Sequence, residues 1–261
     1  MTANRRYVCF YIIVLMLALT MSGCAANLVT TSVEIPARHS ISEFRDQSFA
    51  EVSDPWEGFN RNMYRFNFYF DKYVFLPVVN GYEFVTPQFA QERVSSFYNN
   101  IGEVRNFANS LFQLKATETV TTLGRFVTNS TLGLGGLFDP ATRFGLERYS
   151  QDFGKTLGYW GAGSGPYVVL PFYGPSSLRD TSGLAVDTAI RYGILATVDP
   201  FGNFGNSLAI NFGNSTLEAV DARHQQSFRY FESGYPFEYY LVRFIYHEKR
   251  EIESGKPLTV N

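Results

Sequence analysis

Residues 54-DPWEGFNRNMYRFNFYFDKYVF-75 constrain the fold more than any other stretch. Asp54, then Pro55 at the first helical position and Glu57 at the third, read as a capped helix start. Trp56, Phe59, Met63, Phe66 and Phe70 form a heptad-like stripe, yet Tyr64, Phe68, Tyr69 and Tyr73 carry aromatics round most of the circumference. Arg61, Arg65 and Lys72 share a narrow face opposite that stripe. A helix apolar on most sides is either deeply buried or in contact with lipid. Long-stemmed basic residues suit a lipid-embedded helix, from which they reach headgroup phosphates. They also suit the centre of a soluble bundle, where they pair with carboxylates. This helix alone leaves both open.

The same proline punctuation recurs at Thr86-Pro87, Asp139-Pro140 and Asp199-Pro200, so four helix starts of one kind point to a mainly helical protein. In 90-AQERVSSFYNNIGEVRNFANSLFQLK-115, Val94, Phe97, Tyr98, Ile101, Val104, Ala108, Leu111 and Phe112 fall on one arc. Glu92, Ser95, Asn99, Glu103, Asn106 and Gln113 occupy the other, which makes this the clearest amphipathic helix of the chain. Further helices are expected over 117–129, 215–231 and 237–253. Strand alternation is confined to one hairpin, and no internal repeat is visible.

The first two dozen residues are of another kind. Arg5 and Arg6 precede the apolar run 8-VCFYIIVLMLALTM-21, which is short against the roughly twenty residues of a spanning helix and reads as a secretory signal. The run ends in 21-MSGC-24, which resembles the bacterial lipobox. That likeness implies a signal peptide over 1–23 and lipidation of Cys24, with Ala25 after it implying sorting to the outer membrane. Residues 24–52 read as a lipidated terminus and tether, 53–250 as the helical domain and 251–261 as a polar tail. The other cysteine, Cys9, lies inside the signal, so the mature chain has no thiol for a disulfide, a zinc site or a nucleophile.

Removing Arg5 and Arg6 leaves 20 basic against 24 acidic residues, which is no footprint for nucleic acid. Aromatic residues make up 17% of the chain, a composition suited to a membrane–water interface or to an aromatic-rich core. The longest apolar attempt of the mature chain, 184-LAVDTAIRYGILATV-198, is broken by Asp187 and Arg191, an i,i+4 pair of favourable orientation.

Enzyme signatures fail on the letters. Ser164 stands in G-A-G-S-G, but a nucleophile elbow needs glycines two before and two after, where Ala162 and Pro166 stand. Beyond the signal, histidine occurs only at 39, 224 and 247, and none is an evident partner for that serine. 154-GKT-156 lacks the earlier glycine of a phosphate loop, 247-HEKRE-251 has one histidine where a zinc protease needs two, and Asp180 and Asp187 do not read as a glycosidase pair. No catalytic residue, metal site or cofactor is expected. By contrast, 161-GAGSGPYVVLPFYGPSSLRD-180 reads as a hairpin. Gly161, Gly163 and Gly165 allow close approach, 167-YVVLPFY-173 is apolar apart from two hydroxyls, and Pro171 and Gly174-Pro175 break it. A loop this apolar must be buried in protein or inserted in lipid.

Three blocks then become specific together: DPWEGFNRNMYRFN at 54–67, FVTNSTLGLGGLFDPA at 126–141 and DFGKTLGYWGAGSGPYVVLPFYGPSSLRDTSG at 152–183. The chain resembles the VacJ/MlaA family of outer-membrane lipoproteins over residues 54–249. The resemblance implies a mainly α, ring-like helical body in one leaflet of the outer membrane, facing the periplasm. It implies a channel that takes misplaced phospholipid from the outer leaflet, beside a trimeric porin, and passes it to a soluble periplasmic carrier, with no covalent chemistry. On this likeness Asn60, Arg61, Arg65, Phe66, Asn67 and Phe68 are expected along the lipid pathway. Gly161, Gly163, Gly165, Pro166, Tyr167, Leu170, Pro171, Tyr173 and Gly174 are expected in a hairpin that gates or shapes it. The alternative is a structural lipoprotein that binds a porin without moving lipid.

Overall fold

A computed structural model describes residues 52–198, 208–232 and 234–255 together with residue 35, and gives the backbone alone over 192–198 and 208–212. The chain divides into two units, Met1–Ile35 and Pro36–Asn261, and every element below belongs to the second. The signal, Cys24, most of the tether and Asp199-Pro200 lie outside the described residues.

Helix α1 (Glu57–Phe70) runs through a π-helical turn, Asp71–Phe75, into α2 (Leu76–Val85). Then follow α3 (Gln88–Phe112), α4 (Ala116–Thr131) and the short α5 (Pro140–Arg143) and α6 (Phe153–Tyr159). Strands β1 (Tyr167–Leu170) and β2 (Gly174–Ser177) lead into α7 (Leu178–Val198), and α8 (Leu208–His224) and α9 (Glu238–Glu253) complete the order. The protein is mainly helical, as its punctuation indicated. Among the described residues the two strands form one antiparallel pair, Tyr167 opposite Ser177 and Leu170 opposite Gly174.

The helix starts differ from one another. Asp139 caps α5, its carboxylate accepting from the Thr142 backbone N–H. Asp54 does not cap α1: the helix begins at Glu57, and Asp54 instead accepts from Asn60, Tyr239 and Arg243. At Thr86-Pro87 the N-cap of α3 is Pro87 itself, with no side-chain bond. The helix expected over 215–231 stops at His224, because Arg223 donates to the carbonyls of Gln226 and Phe228 and turns the chain away. Helix α9 runs past residue 250 to Glu253, its last turn held by Arg179 on Glu251 and Lys155 on Glu253.

Burial runs against the ordinary rule for water. Helix α3 buries Asn100, Glu103, Asn106, Asn109 and Ser110, while Leu111 and Phe112 are exposed. Helix α4 buries Thr122, Arg125 and Asn129 and turns Val120, Leu123 and Val127 outward. In α2, Phe84 is 89% and Val85 74% exposed. Among the described residues, buried polar and charged side chains outnumber buried apolar ones.

Such an interior is stable only when its polar groups are paired. Between α3 and α4, Arg125 donates to Glu103 (2.9 Å), Asp139 (3.0 Å) and the Leu146 carbonyl (2.6 Å). Asn129 donates to Asp139 and accepts from the Ala141 backbone. Further along α3, Asn109 and the Phe153 backbone both donate to Asp187, and Thr156 donates to Asn109. The Asp187–Arg191 pair read from the sequence does not form: Asp187 faces inward, and Arg191 reaches across to Glu218 of α8. Burial pushes the Asp187 carboxyl above its usual range. A third network centres on Arg250, which bonds Asp152 with two nitrogens at 2.7 Å and Asp180 with two at 2.9 Å. Beneath it α6 and α7 touch at glycine: a Cβ on Gly183 would lie 2.2 Å from the Gly154 nitrogen.

Candidate functional site

The sequence-predicted pathway residues and the hairpin meet along one face of α1. Asn60 and Asn67 are seven residues apart, two helical turns, so both point the same way with an axial separation of about 10.5 Å. Three residues of β1 advance about 10 Å. The two spacings match, and the asparagines clasp the strand. Asn60 donates to the Tyr167 carbonyl (3.0 Å) and accepts from the Val169 N–H (2.8 Å). Asn67 donates to the Leu170 carbonyl (2.9 Å) and accepts from the Phe172 N–H (2.7 Å). Each carboxamide acts as a stand-in peptide group, reading one carbonyl and the N–H two residues on.

Behind the clasp is the apolar core of this region. Tyr64 is surrounded edge-on by Tyr230, Phe231 and Tyr239 at ring separations of 4.9–5.9 Å. Its hydroxyl donates to Glu238, which also accepts from the Phe231 backbone. Tyr167 and Val169 of β1 pack into the same cluster. Burial, reinforced by the Asp54 carboxylate beside it, raises Tyr239 well above the usual tyrosine range. Burial likewise pushes Tyr230 up to about 12. Both hydroxyls therefore stay neutral, and that of Tyr239 donates to Asp54.

Asn60 and Asn67, expected along the lipid pathway, are buried with their carboxamides engaged by the hairpin backbone. Phe68 is buried too, edge-on to Phe231. Arg61 lies over the rings of Tyr239 and Tyr240 and donates to Glu57. Arg65 is half-buried and Phe66 is exposed on the same helix. The hairpin divides by depth. Tyr167 and Gly174 are buried, Pro166 and Leu170 half-buried, and Pro171, Phe172 and Tyr173 exposed at the tip. Phe172, in the left-handed region at φ 64°, packs edge-on against Phe70 (4.7 Å) and Phe66 (5.2 Å). Gly161 and Gly165 have φ of +96° and +68°, the backbone that glycine permits, whereas Gly163 does not; all three are exposed.

Ser164 does have a histidine beside it. Its hydroxyl lies 3.1 Å from His247 Nε2, from a helix 83 residues on in sequence, which the sequence reading did not foresee. The carboxylate nearest His247 Nδ1 is its neighbour Glu248, at 3.5 Å, and the enclosed space beside the pair is about 10 Å³, room for about one water. The contact ties the glycine segment to α9; the geometry supplies no substrate space.

Residues missed from the sequence are the partners that fix these elements: Asp54, Asp180, Glu238, Arg243 and Arg250. Their long-range bonds span 66 to 189 residues, and no local spacing marks those. No helix among the described residues is long and apolar enough to cross a membrane.

The family model described as MlaA lipoprotein matches residues 52–253. The chain belongs to the MlaA lipoprotein family. A Rickettsia prowazekii protein is 42% identical over 142 residues, 54% of this chain and 57% of its own length. The Haemophilus influenzae protein named intermembrane phospholipid transport system lipoprotein MlaA is 31% identical over 214 residues, 80% of this chain and 75% of that one. A solved structure described as "Structural basis for maintenance of bacterial outer membrane lipid asymmetry" matches with a TM-score of 0.62 at 31% identity, covering 77% of this chain and 99% of that chain. The chain spans 51–57% of the length of the Rickettsia relatives it matches. The clasp helix, the hairpin and α9 all fall within the MlaA match.

Proposed function

We propose that this chain is an outer-membrane lipoprotein, anchored through lipid on Cys24, that removes misplaced phospholipid from the outer leaflet and passes it toward the periplasm. The carrying observation is the inverted burial: polar groups inside, ion pairs such as Arg125–Glu103 among them, with Val120, Leu123, Val127, Phe84 and Val85 outside. An exterior of that kind is stable against acyl chains and unfavourable against water. The relatives named for intermembrane phospholipid transport and the likeness to a structure concerned with lipid asymmetry support the same reading.

On this reading the ring-like body sits in the periplasm-facing leaflet, beside a trimeric porin, and hands lipid to a soluble periplasmic carrier. Arg61, Arg65 and Phe66 border the lipid path, while Asn60 and Asn67 shape it from behind by holding the hairpin, with Phe68 packed on Phe231 beside them. Exposed Phe172 and Tyr173 form the moving edge of the gate, hinged at Gly161 and Gly165, where positive φ makes an alanine strained. The component transfers lipid without covalent chemistry.

Deletion in the source bacterium, read by an assay of phospholipid on the cell surface, tests the proposal. Surface phospholipid rises in the deletion strain, the wild-type gene restores it, and Cys24→Ala fails to. Normal asymmetry in the deletion strain overturns the function. Restoration by a Gly161→Ala/Gly165→Ala variant as complete as by wild type removes the gating role alone.

A further inference from the structure

A second site lies on α2, α3 and α8, among residues the lipid path does not use. Glu83, Gln88, Gln91, Glu92, Arg93 and His224 line a polar groove of about 660 Å³, a volume in the range of ligand sites. Its corner is preformed. Gln91 donates to the carbonyls of Glu83 and Thr86, tying the end of α2 to the start of α3. His224 Nδ1 lies 2.6 Å from Glu83 Oε1 and joins the end of α8 to the same wall.

The charges have a pattern. Glu83 and Glu92 keep side-chain exposures of 42% and 51%, so a ligand can reach both carboxylates although His224 already bonds Glu83, and Gln88 and Arg93 bond Glu92. Asp221 stands behind them, accepting from Ser95 and Gln225. Arg93 lies beside Glu92 at 3.1 Å, its guanidinium over the rings of Phe89 and Phe138. Among the described residues no three His, Asp or Glu converge as a metal site, so the carboxylates are not set for a divalent cation. Two separated carboxylates with one adjacent guanidinium complement a ligand carrying an ammonium and a phosphate. The rim is greasy: Phe84, Val85 and Phe89 are 89%, 74% and 64% exposed at the edge of this polar wall. A headgroup in the groove thus has an apolar surface beside it for acyl chains.

We infer that this groove binds the headgroup of an aminophospholipid, its ammonium between Glu83 and Glu92 and its phosphate toward Arg93. The inference rests on the phospholipid-handling reading above and adds a headgroup preference to it. A soluble amine carries the same ammonium, and the apolar rim is what selects the lipid.

The test titrates the full chain in detergent micelles with dihexanoyl phosphatidylethanolamine, dihexanoyl phosphatidylglycerol and glycerophosphoethanolamine, read by calorimetry. The Glu83→Gln/Glu92→Gln variant weakens ethanolamine-lipid binding about tenfold, the size expected for two exposed ion pairs, and leaves glycerol-lipid binding unchanged. Glu147→Gln, far along the chain and exposed, changes neither. If the double variant shifts the unfolding midpoint, Glu92→Gln alone carries the test, with a loss of about threefold. Equal loss of both lipids, or no loss of the ethanolamine lipid, overturns the groove and leaves the proposed function standing. Glycerophosphoethanolamine binding as tightly as the lipid overturns the lipid assignment in favour of a soluble amine. A wild-type chain that binds neither lipid takes down both.

Discussion

Between α3 and α4 the interior is guanidinium, carboxylate and carboxamide, with Glu103, Arg125, Asp139 and Asn129 linked in one network while valines and leucines face outward. Between α1, the hairpin and α9 the interior is Tyr64, Tyr167, Val169, Tyr239 and Tyr240, and the polar groups that enter it hold backbone, receive a tyrosine hydroxyl or form one buried ion pair, Arg243 on Asp54. One chain thus uses two burial rules. A network interior is specific but fragile, since each partner left unpaired in it is costly. An aromatic interior tolerates small changes and locates the hairpin through packing and a few backbone bonds. The network region therefore suits a body whose outside is apolar, and the aromatic region suits a fixed base for an exposed tip.

The largest expected effect lies in the network. Arg125→Ala takes from the buried Glu103 its nearest cation, leaving Arg148 at 3.7 Å, and costs about 3 kcal/mol, measured by denaturation in detergent micelles. The paired replacement Glu103→Leu/Arg125→Met costs less than the single variant by the same measurement, because no charge is left at 103, but still leaves the Leu146 carbonyl and Asp139 without Arg125. A single variant that costs no more than the pair would erase the distinction between the two regions.

Next is the clasp. Asn60→Leu leaves the Tyr167 carbonyl and Val169 N–H without their partner in a dry site and costs about 2–3 kcal/mol. Hydrogen exchange should then show faster exchange of Val169 while the α3–α4 amides hold their protection. Uniform acceleration over both regions would mean that they unfold as one unit.

Acid separates the regions at a smaller scale. Burial alone would raise the Asp180 carboxyl, but the hydrogen bonds and charge of Arg250 outweigh it and hold it at about 2, below its ordinary 3.8. A carboxyl lowered in the folded state contributes stability that is fully present above its unfolded value and is lost as pH falls through the folded one. The expected loss is about 2 kcal/mol between about pH 4 and pH 2, and Asp180→Asn removes that dependence. An unchanged slope in the variant would assign acid sensitivity to other carboxylates.

The smallest effect is on the outside. Val120→Asn/Val127→Asn changes stability in micelles by less than about 0.5 kcal/mol, because neither side chain is packed in the interior. Partition into lipid vesicles should nonetheless fall. Equal partition would detach the apolar face of α4 from any membrane role.

Much of the fold was legible. Apolar period marked α3, α4 and α9, and the glycine and proline corners of 161–180 marked the hairpin, because these signals are local. The facing of the helices was not. The period of 90–115 separates two arcs equally well whichever is buried, and from Glu103 onward it was the polar arc that turned inward. At the candidate site the letters pointed to α1 and the hairpin but not to how they join. Asn60 and Asn67 bond partners more than a hundred residues away, and Ser164 meets His247 across 83.

By itself the sequence determined the family, the helical class, the place of the hairpin and the restriction of cysteine to positions 9 and 24. Each of these follows from neighbouring residues, whose spacing and backbone preferences act within a turn or two. Only the tertiary structure decided that Asp54 ties α9 rather than capping α1, that Asp187 pairs across helices rather than along its own, and that asparagines hold the hairpin. A buried polar group must take whatever partner the packing brings within about 3 Å, and packing is settled by the whole chain at once.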